Sequence, residues 1–185
     1  SEKELDTAFS TSNLPLRGAK GWLYEGGVRV PMIVKWPHKG KSGAVSQEPV
    51  ISVDFYPTML EMAGLPAMPD QAVDGTSLAP AVMGEPLDTK PIFWHFPQYS
   101  NHGMQSPGGA VRFGDYKLLE YYENNTVQLF NLREDLGEQN DLSQTEPDKA
   151  DELRALLHAW RTEVSAQMPL PNAEYASDPY PNQSK

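Results

Sequence analysis

Three groups of residues combine side-chain type and spacing in ways that could act on a ligand. Lys20 stands between Gly18 and Gly21, where the missing side chains leave an ammonium free to reach a bound oxyanion; the plainer reading is a solvated loop lysine. Arg17 could face the same anion or pair with Glu25 or another carboxylate, Arg29 reads as structural, and Glu25, Gly26 and Gly27 as shaping a turn. His95 interrupts the aromatic run Phe93-Trp-His-Phe-Pro97 and leads into Gln98, Tyr99, Asn101 and His102. Aromatic faces beside amides and imidazoles suit a sugar, whose C–H faces stack and whose hydroxyls need directional partners. A histidine buried and satisfied by the protein itself is the alternative for His95 and for His102. Arg112 precedes the pair Gly114-Asp115 and Lys117 follows it, so either can meet an anionic substrate or pair across strands; Arg112 is the preferred candidate.

The remaining charged residues read as structural. His38 and His158 are assigned to surface or packing, Asp54 to a helix cap and Asp74 to a turn. The acidic stretch from Arg133 to Asp141 lacks the alternating ligand order of a calcium loop and is expected to be a solvated connection.

Composition narrows the partners. Fifteen Lys and Arg against twenty-five Asp and Glu give a net charge of −10. That argues against nucleic acid or an anionic membrane as a general partner, so any anion site must be local. The absence of Cys removes disulfides, thiolate metal sites and thiol nucleophiles together. With 39% hydrophobic residues the chain can build a core, yet no apolar run approaches the ~20 residues of a membrane span. The start, Ser1 to Asp6, has neither the basic nor the apolar part of a signal peptide and no initiator Met, as expected of a processed chain or a segment of a longer one.

Stepping outward to the elements, residues 1–27 read as loop, and Val28 to Trp36 as a buried β-branched strand entered at an edge through Pro31. A turn-rich linker, 37–49, follows. A short helix is expected over Asp54 to Ala63, capped by Asp54, closed by Gly64, with Phe55, Met59 and Met62 on one face. Residues 64–91 read as an extended connection with one short helix at Ser77 to Met83. Ile92 to Phe96, Ala110 to Phe113, Tyr116 to Tyr122 and Val127 to Leu132 predict an antiparallel meander, turned at Gly114-Asp115 and Asn124-Asn125. Thr145 and Asp148 have capping-box spacing around Pro147, after which Leu153, Leu156, Leu157, Trp160 and Val164 form a helical stripe that should lie on the meander. The tail from Pro169 is expected to be irregular.

Three of these stretches together resemble the C-terminal part of the sulfatases, in the alkaline-phosphatase-like superfamily: Leu16 to Val34, Val53 to Leu65 with Asp74 to Leu78, and Ala110 to Leu118 with Leu129 to Leu132. The resemblance implies an α/β parent of which residues 1–90 end the large domain, and an α+β segment here. In that segment 91–168 form a small subdomain of about four antiparallel strands and a C-terminal helix, with 169–185 a tail. It also implies hydrolysis of sulfate esters, with Lys20 contacting sulfate and with His95, His102 and Arg112 shaping the substrate pocket. Such enzymes use a formylglycine nucleophile, made from Cys or Ser in a Cys/Ser-x-Pro-x-Arg motif, beside a divalent cation, usually calcium. Neither that motif nor the metal-binding Asp pairs occur in this sequence. The expected partners are therefore the missing N-terminal sulfatase domain and a sulfated small molecule, with a saccharide favoured by the aromatic and amide groups around His95. The segment alone is expected to be inactive, without a cofactor or metal of its own, and open to self-association through the face that met the large domain. Family habit implies a periplasmic or extracellular enzyme. The alternatives are a phosphodiesterase or phosphonate hydrolase of the same superfamily, and a non-catalytic module that binds sulfated glycans or serves assembly.

Overall fold

Four runs of β-branched and aromatic residues, separated by residues that tolerate left-handed backbone, build the centre of the molecule. The structure is a computed structural model and describes residues 12–68, 70–71, 73–100 and 105–170. Strands β1 (Ile92–Phe96), β2 (Gly108–Phe113), β3 (Tyr116–Tyr121) and β4 (Thr126–Asn131) form one antiparallel sheet in sequence order. Gly114, at φ 60°, makes the two-residue turn that sets Phe113 opposite Tyr116; Asn125, at φ 57°, serves the next hairpin. This is the expected meander.

Both faces of the sheet are covered, which is why β2 and β3 are almost wholly buried. On one face Val111, Leu118 and Leu129 meet Ala150, Leu153 and Leu157 of the C-terminal helix (Pro147–Glu163). Phe93 stacks on Trp160 with ring centroids 4.7 Å apart. The helix and its stripe match expectation, but the capping box does not form. Glu146 is the N-cap, no side chain caps the helix, and the Thr145 hydroxyl donates instead to the Leu142 carbonyl.

On the opposite face lies the segment around Trp22 to Tyr24. Leu23 and Tyr24 join Ala110, Leu119, Phe130 and Leu132 in a second core, flanked by Trp22, Trp94, Phe96 and Tyr121. One helical turn, α1 (Glu25–Val28), ends this segment, which the sequence reading treats as loop.

Val28 to Trp36 departs from expectation. It forms no strand in the described residues, and Val30 and Ile33 are 79% and 97% exposed. β-branched side chains favour extended backbone, but a strand exists only where a neighbour supplies ladder hydrogen bonds, and this stretch pairs with no strand of the described sheet. Farther on, a 3₁₀ turn (Ser52–Asp54) leads into α2 (Phe55–Met62), and α3 covers Ala79–Met83. Gly64 ends α2 at φ 69° as expected. Phe55 and Met59, placed on one face of this helix from the sequence, are exposed.

Asp54 is fully buried and does not cap α2. Its carboxylate accepts from the Ile51 and Thr76 amides and pairs with Lys90, tying the connection to the foot of β1. Burial raises its pKa, but those two amides and the Lys90 ammonium outweigh burial and leave it below the ordinary value.

Candidate functional site

The Lys20 turn is built by close backbone packing. The Trp22 amide donates to the Ala19 carbonyl, 3.1 Å away, closing a turn whose tip is Lys20-Gly21. Gly21 has φ 93° while Lys20 keeps negative φ, the pattern of a type II turn, which requires a residue free of a side chain at its third position. Lys20 is exposed and, among the described residues, takes no partner.

The turn rests on two glycines of α1. A Cβ on Gly27 would lie 2.1 Å from the Trp22 carbonyl oxygen and 2.6 Å from that of Ala19, and one on Gly26 would lie 2.2 Å from the Gly18 oxygen. Only glycine allows this contact. The Gly26 amide donates to the Arg17 carbonyl at 2.7 Å, and the Leu23 amide to Oε1 of buried Gln105 at 3.0 Å.

Beneath α1 lies a buried ion cluster. Register places Arg112 directly opposite Lys117 on the face that α1 covers, and two adjacent cations there demand anions. Glu25 and Glu138 supply them. The Lys117 ammonium is fully buried, 2.9 Å from Glu25 Oε1 and 3.0 Å from Glu138 Oε1. Arg112 Nη1 and Arg29 Nη1 lie 3.6 and 3.7 Å from Glu25 Oε2. The Glu25 amide donates to Glu138 Oε2 at 2.7 Å. Arg17 donates from Nη1 to the Glu138 carbonyl at 2.8 Å and lies over the Tyr24 ring. Burial drives the Glu138 carboxyl above its ordinary pKa despite the adjacent Lys117.

The centre of the acidic loop is therefore inside the protein. Glu138, which the sequence reading leaves in a solvated connection, has no exposed surface. Its neighbour Asp135 shapes the loop by accepting from the Gln139 and Asn140 amides.

The candidate residues are thus distributed over two faces. Lys20 and Arg112 lie on the α1 face, joined through Glu25 and the α1 glycines. His95 lies on the other: its Nδ1 is 2.8 Å from the Tyr122 hydroxyl and its Nε2 is 2.8 Å from the Gln167 carbonyl. A carbonyl only accepts, so Nε2 carries a proton and Nδ1 accepts from Tyr122 in the neutral ring. Its partners in the structure are those of a histidine satisfied by the protein itself. His102 lies outside the described residues. The sequence reading misses the buried Glu25, Lys117 and Glu138 cluster; the signal that could reveal it is the Gly114-Asp115 turn, whose length alone places Arg112 opposite Lys117.

A second ionic group sits on the helix face. Glu120, 3% exposed, takes Arg154 Nε and His158 Nε2 at 2.8 Å and Arg161 Nη2 at 2.8 Å. Burial raises its pKa but is outweighed by hydrogen bonds from His158 and Arg154 and by the Arg161 charge, so the carboxyl titrates below the ordinary 4.5. The unfolded chain then takes up this proton first as pH falls, and stability present above the ordinary carboxylate range drops through and below it. Melting temperature should decline on acidification below that value, less steeply in Glu120→Gln, as followed by circular dichroism across a pH series.

No group of three or more His, Cys, Asp or Glu among the described residues could hold a metal ion, and the sequence has no Cys. The described residues therefore do not fit the cation of the resembling enzymes. Nor is any helix among the described residues long and apolar enough to cross a membrane.

Comparison with known proteins agrees with this architecture. The chain is 38% identical over 186 residues to a sulfatase from Formosa agariphila, covering 92% of this chain and 34% of that protein. It is 38% identical over 119 residues to the N-acetylgalactosamine-6-sulfatase of Canis lupus familiaris, covering 64% of this chain and 21% of that one. The crystal structure of Ps i-CgsB in complex with k-i-k-neocarrahexaose superposes with a TM-score of 0.68 at 30% identity, over 83% of this chain and 33% of that one. The chain thus spans about a third or less of the length of these relatives. Residues 19–167 match the family model of the N-sulphoglucosamine sulphohydrolase C-terminal region. With that match over most of its length, and the antiparallel meander and C-terminal helix as expected, the chain belongs to the sulfatase family of the alkaline-phosphatase-like superfamily.

Proposed function

We propose that this chain is the C-terminal part of a sulfatase that hydrolyses sulfate esters of a saccharide, and that Lys20 contacts the sulfate being transferred. The observation that carries the proposal is the Lys20 turn: a cation without a partner among the described residues, held on a turn packed from behind by backbone. A sulfuryl group gathers negative charge on its oxygens as its ester bond breaks, and a fixed ammonium stabilises that charge without reorganising. In this reading residues 1–90 complete the large α/β domain. Exposed Val30, Met32 and Ile33 join a strand to its sheet, and Phe55 and Met59 pack against it. The nucleophile and the metal ligands belong to that remainder. Arg112 serves the pocket through Glu25, while His95, near the end of β1, and His102, in the sequence between β1 and β2, contribute to the pocket wall. The saccharide preference draws on the names of the canine N-acetylgalactosamine-6-sulfatase and of the oligosaccharide complex.

Inorganic sulfate release tests this, using the longer protein on a 6-O-sulfated N-acetylhexosamine, a steroid sulfate and a phosphonate monoester. Sulfate release from the sugar ester, with none by the 185-residue chain alone, is the expected result. Turnover of the phosphonate ester without the sulfate esters, or activity in the 185-residue chain by itself, would overturn the reading.

A further inference from the structure

We infer that Lys117, fully buried and contacting no surface of the molecule, is a positioning residue for Lys20, acting through Glu25 and the two glycines of α1. The inference deepens the sulfate-contact reading and rests on it.

The route is continuous. Lys117, held in the middle of β3, bridges Glu25 and Glu138. Glu138 accepts the Glu25 amide, so the backbone at the start of α1 is fixed by the same carboxylate that the ammonium holds. Gly26 and Gly27, the next two residues, are in backbone contact with Gly18 and with the Ala19 and Trp22 ends of the Lys20 turn. A shift of α1 by one ångström therefore moves the turn, because no flexible side chain lies between them. Other polar attachments among the described residues run from Leu23 to Gln105, from Tyr24 to Gln128 and Tyr121, and from Arg17 to the Glu138 carbonyl. Arg17 reaches the same loop residue. The sequence separations of 92 and 113 residues mean that α1, on which the turn packs locally, is itself held by residues of β3 and the loop after β4.

A fold-preserving variant tests this. Lys117→Met combined with Glu138→Gln removes one charge of each sign, leaves Glu25 with Arg112 and Arg29, and keeps an acceptor for the Glu25 amide. Hydrogen exchange on the 185-residue chain should show amides 17–28 exchanging about tenfold faster or more, with β3, β4 and the C-terminal helix still protected. In the longer protein the same pair should lower kcat about tenfold in an otherwise native background and add little once Lys20 is alanine, since residues acting through one another are not additive. Unchanged exchange at 17–28, or an equal fold loss in both backgrounds, would overturn the inference. A Lys20→Ala enzyme with native turnover would instead remove the sulfate-contact reading, and the exchange result would still decide whether Lys117 holds the turn.

Discussion

Lys20→Ala in the longer protein is expected to reduce kcat for sulfate-ester hydrolysis by roughly 10²–10³-fold, the cost of removing one preorganised oxyanion-stabilising donor. The folded chain should not notice the change. Lys20 is exposed and takes no hydrogen bond or ion pair among the described residues, so the melting temperature stays within experimental scatter of the native value. An effect on KM alone would mean that the ammonium binds ground state and transition state equally. Lys20→Arg separates charge from placement. The guanidinium keeps the charge but moves it farther from the turn and spreads it over a plane, so recovery should be partial. Steady-state kinetics on one sulfated sugar with all three proteins measures both effects.

The second large effect is on stability. Lys117→Met leaves two carboxylates, Glu25 and Glu138, buried beside an apolar side chain. Breaking a buried ion pair from one side costs about 3–5 kcal/mol, because desolvated charge is left uncompensated. For a chain of this length that corresponds to a fall in melting temperature of roughly 10 °C or more. The fall should be smaller at low pH: burial already raises the Glu138 pKa, and a protonated Glu138 no longer needs its cation. Adding Glu138→Gln should restore part of the loss at neutral pH. Differential scanning calorimetry on the single and double variants distinguishes this from simple loss of packing, which the second substitution would not repair.

How much of this is legible in the sequence depends on the range of the forces involved. The meander and the C-terminal helix are legible because each rests on local signals. Gly114 and Asn125 sit where left-handed backbone is required, and Leu153 and Leu157 recur at helical spacing. The Lys20 turn is half legible: Gly18 and Gly21 announce a bend, while the need for Gly26 and Gly27 comes from contact with carbonyls up to nine residues earlier. Val28 to Trp36 is misread for the opposite reason. Its residues favour extended backbone, but pairing depends on a partner strand that the described sheet does not provide. Glu138 is the hardest case. It stands in an acidic loop whose composition resembles any solvated connection, and it is internal where a lysine in β3 and the Glu25 amide meet its carboxylate. Charge composition measures exposure on average and says nothing about one carboxylate with a dedicated partner.

The sandwich arrangement, with the N-terminal segment on one face of the sheet and the C-terminal helix on the other, orders events during synthesis. Glu25 emerges from the ribosome 92 residues before Lys117 and 113 before the Glu138 that receives its amide. Until then the lysine turn has no platform, and contacts of such separation form slowly. A ribosome that stalls before β4 releases a chain in which Lys117 and Glu25 can meet but the Glu138 carboxylate that receives the Glu25 amide has not been made.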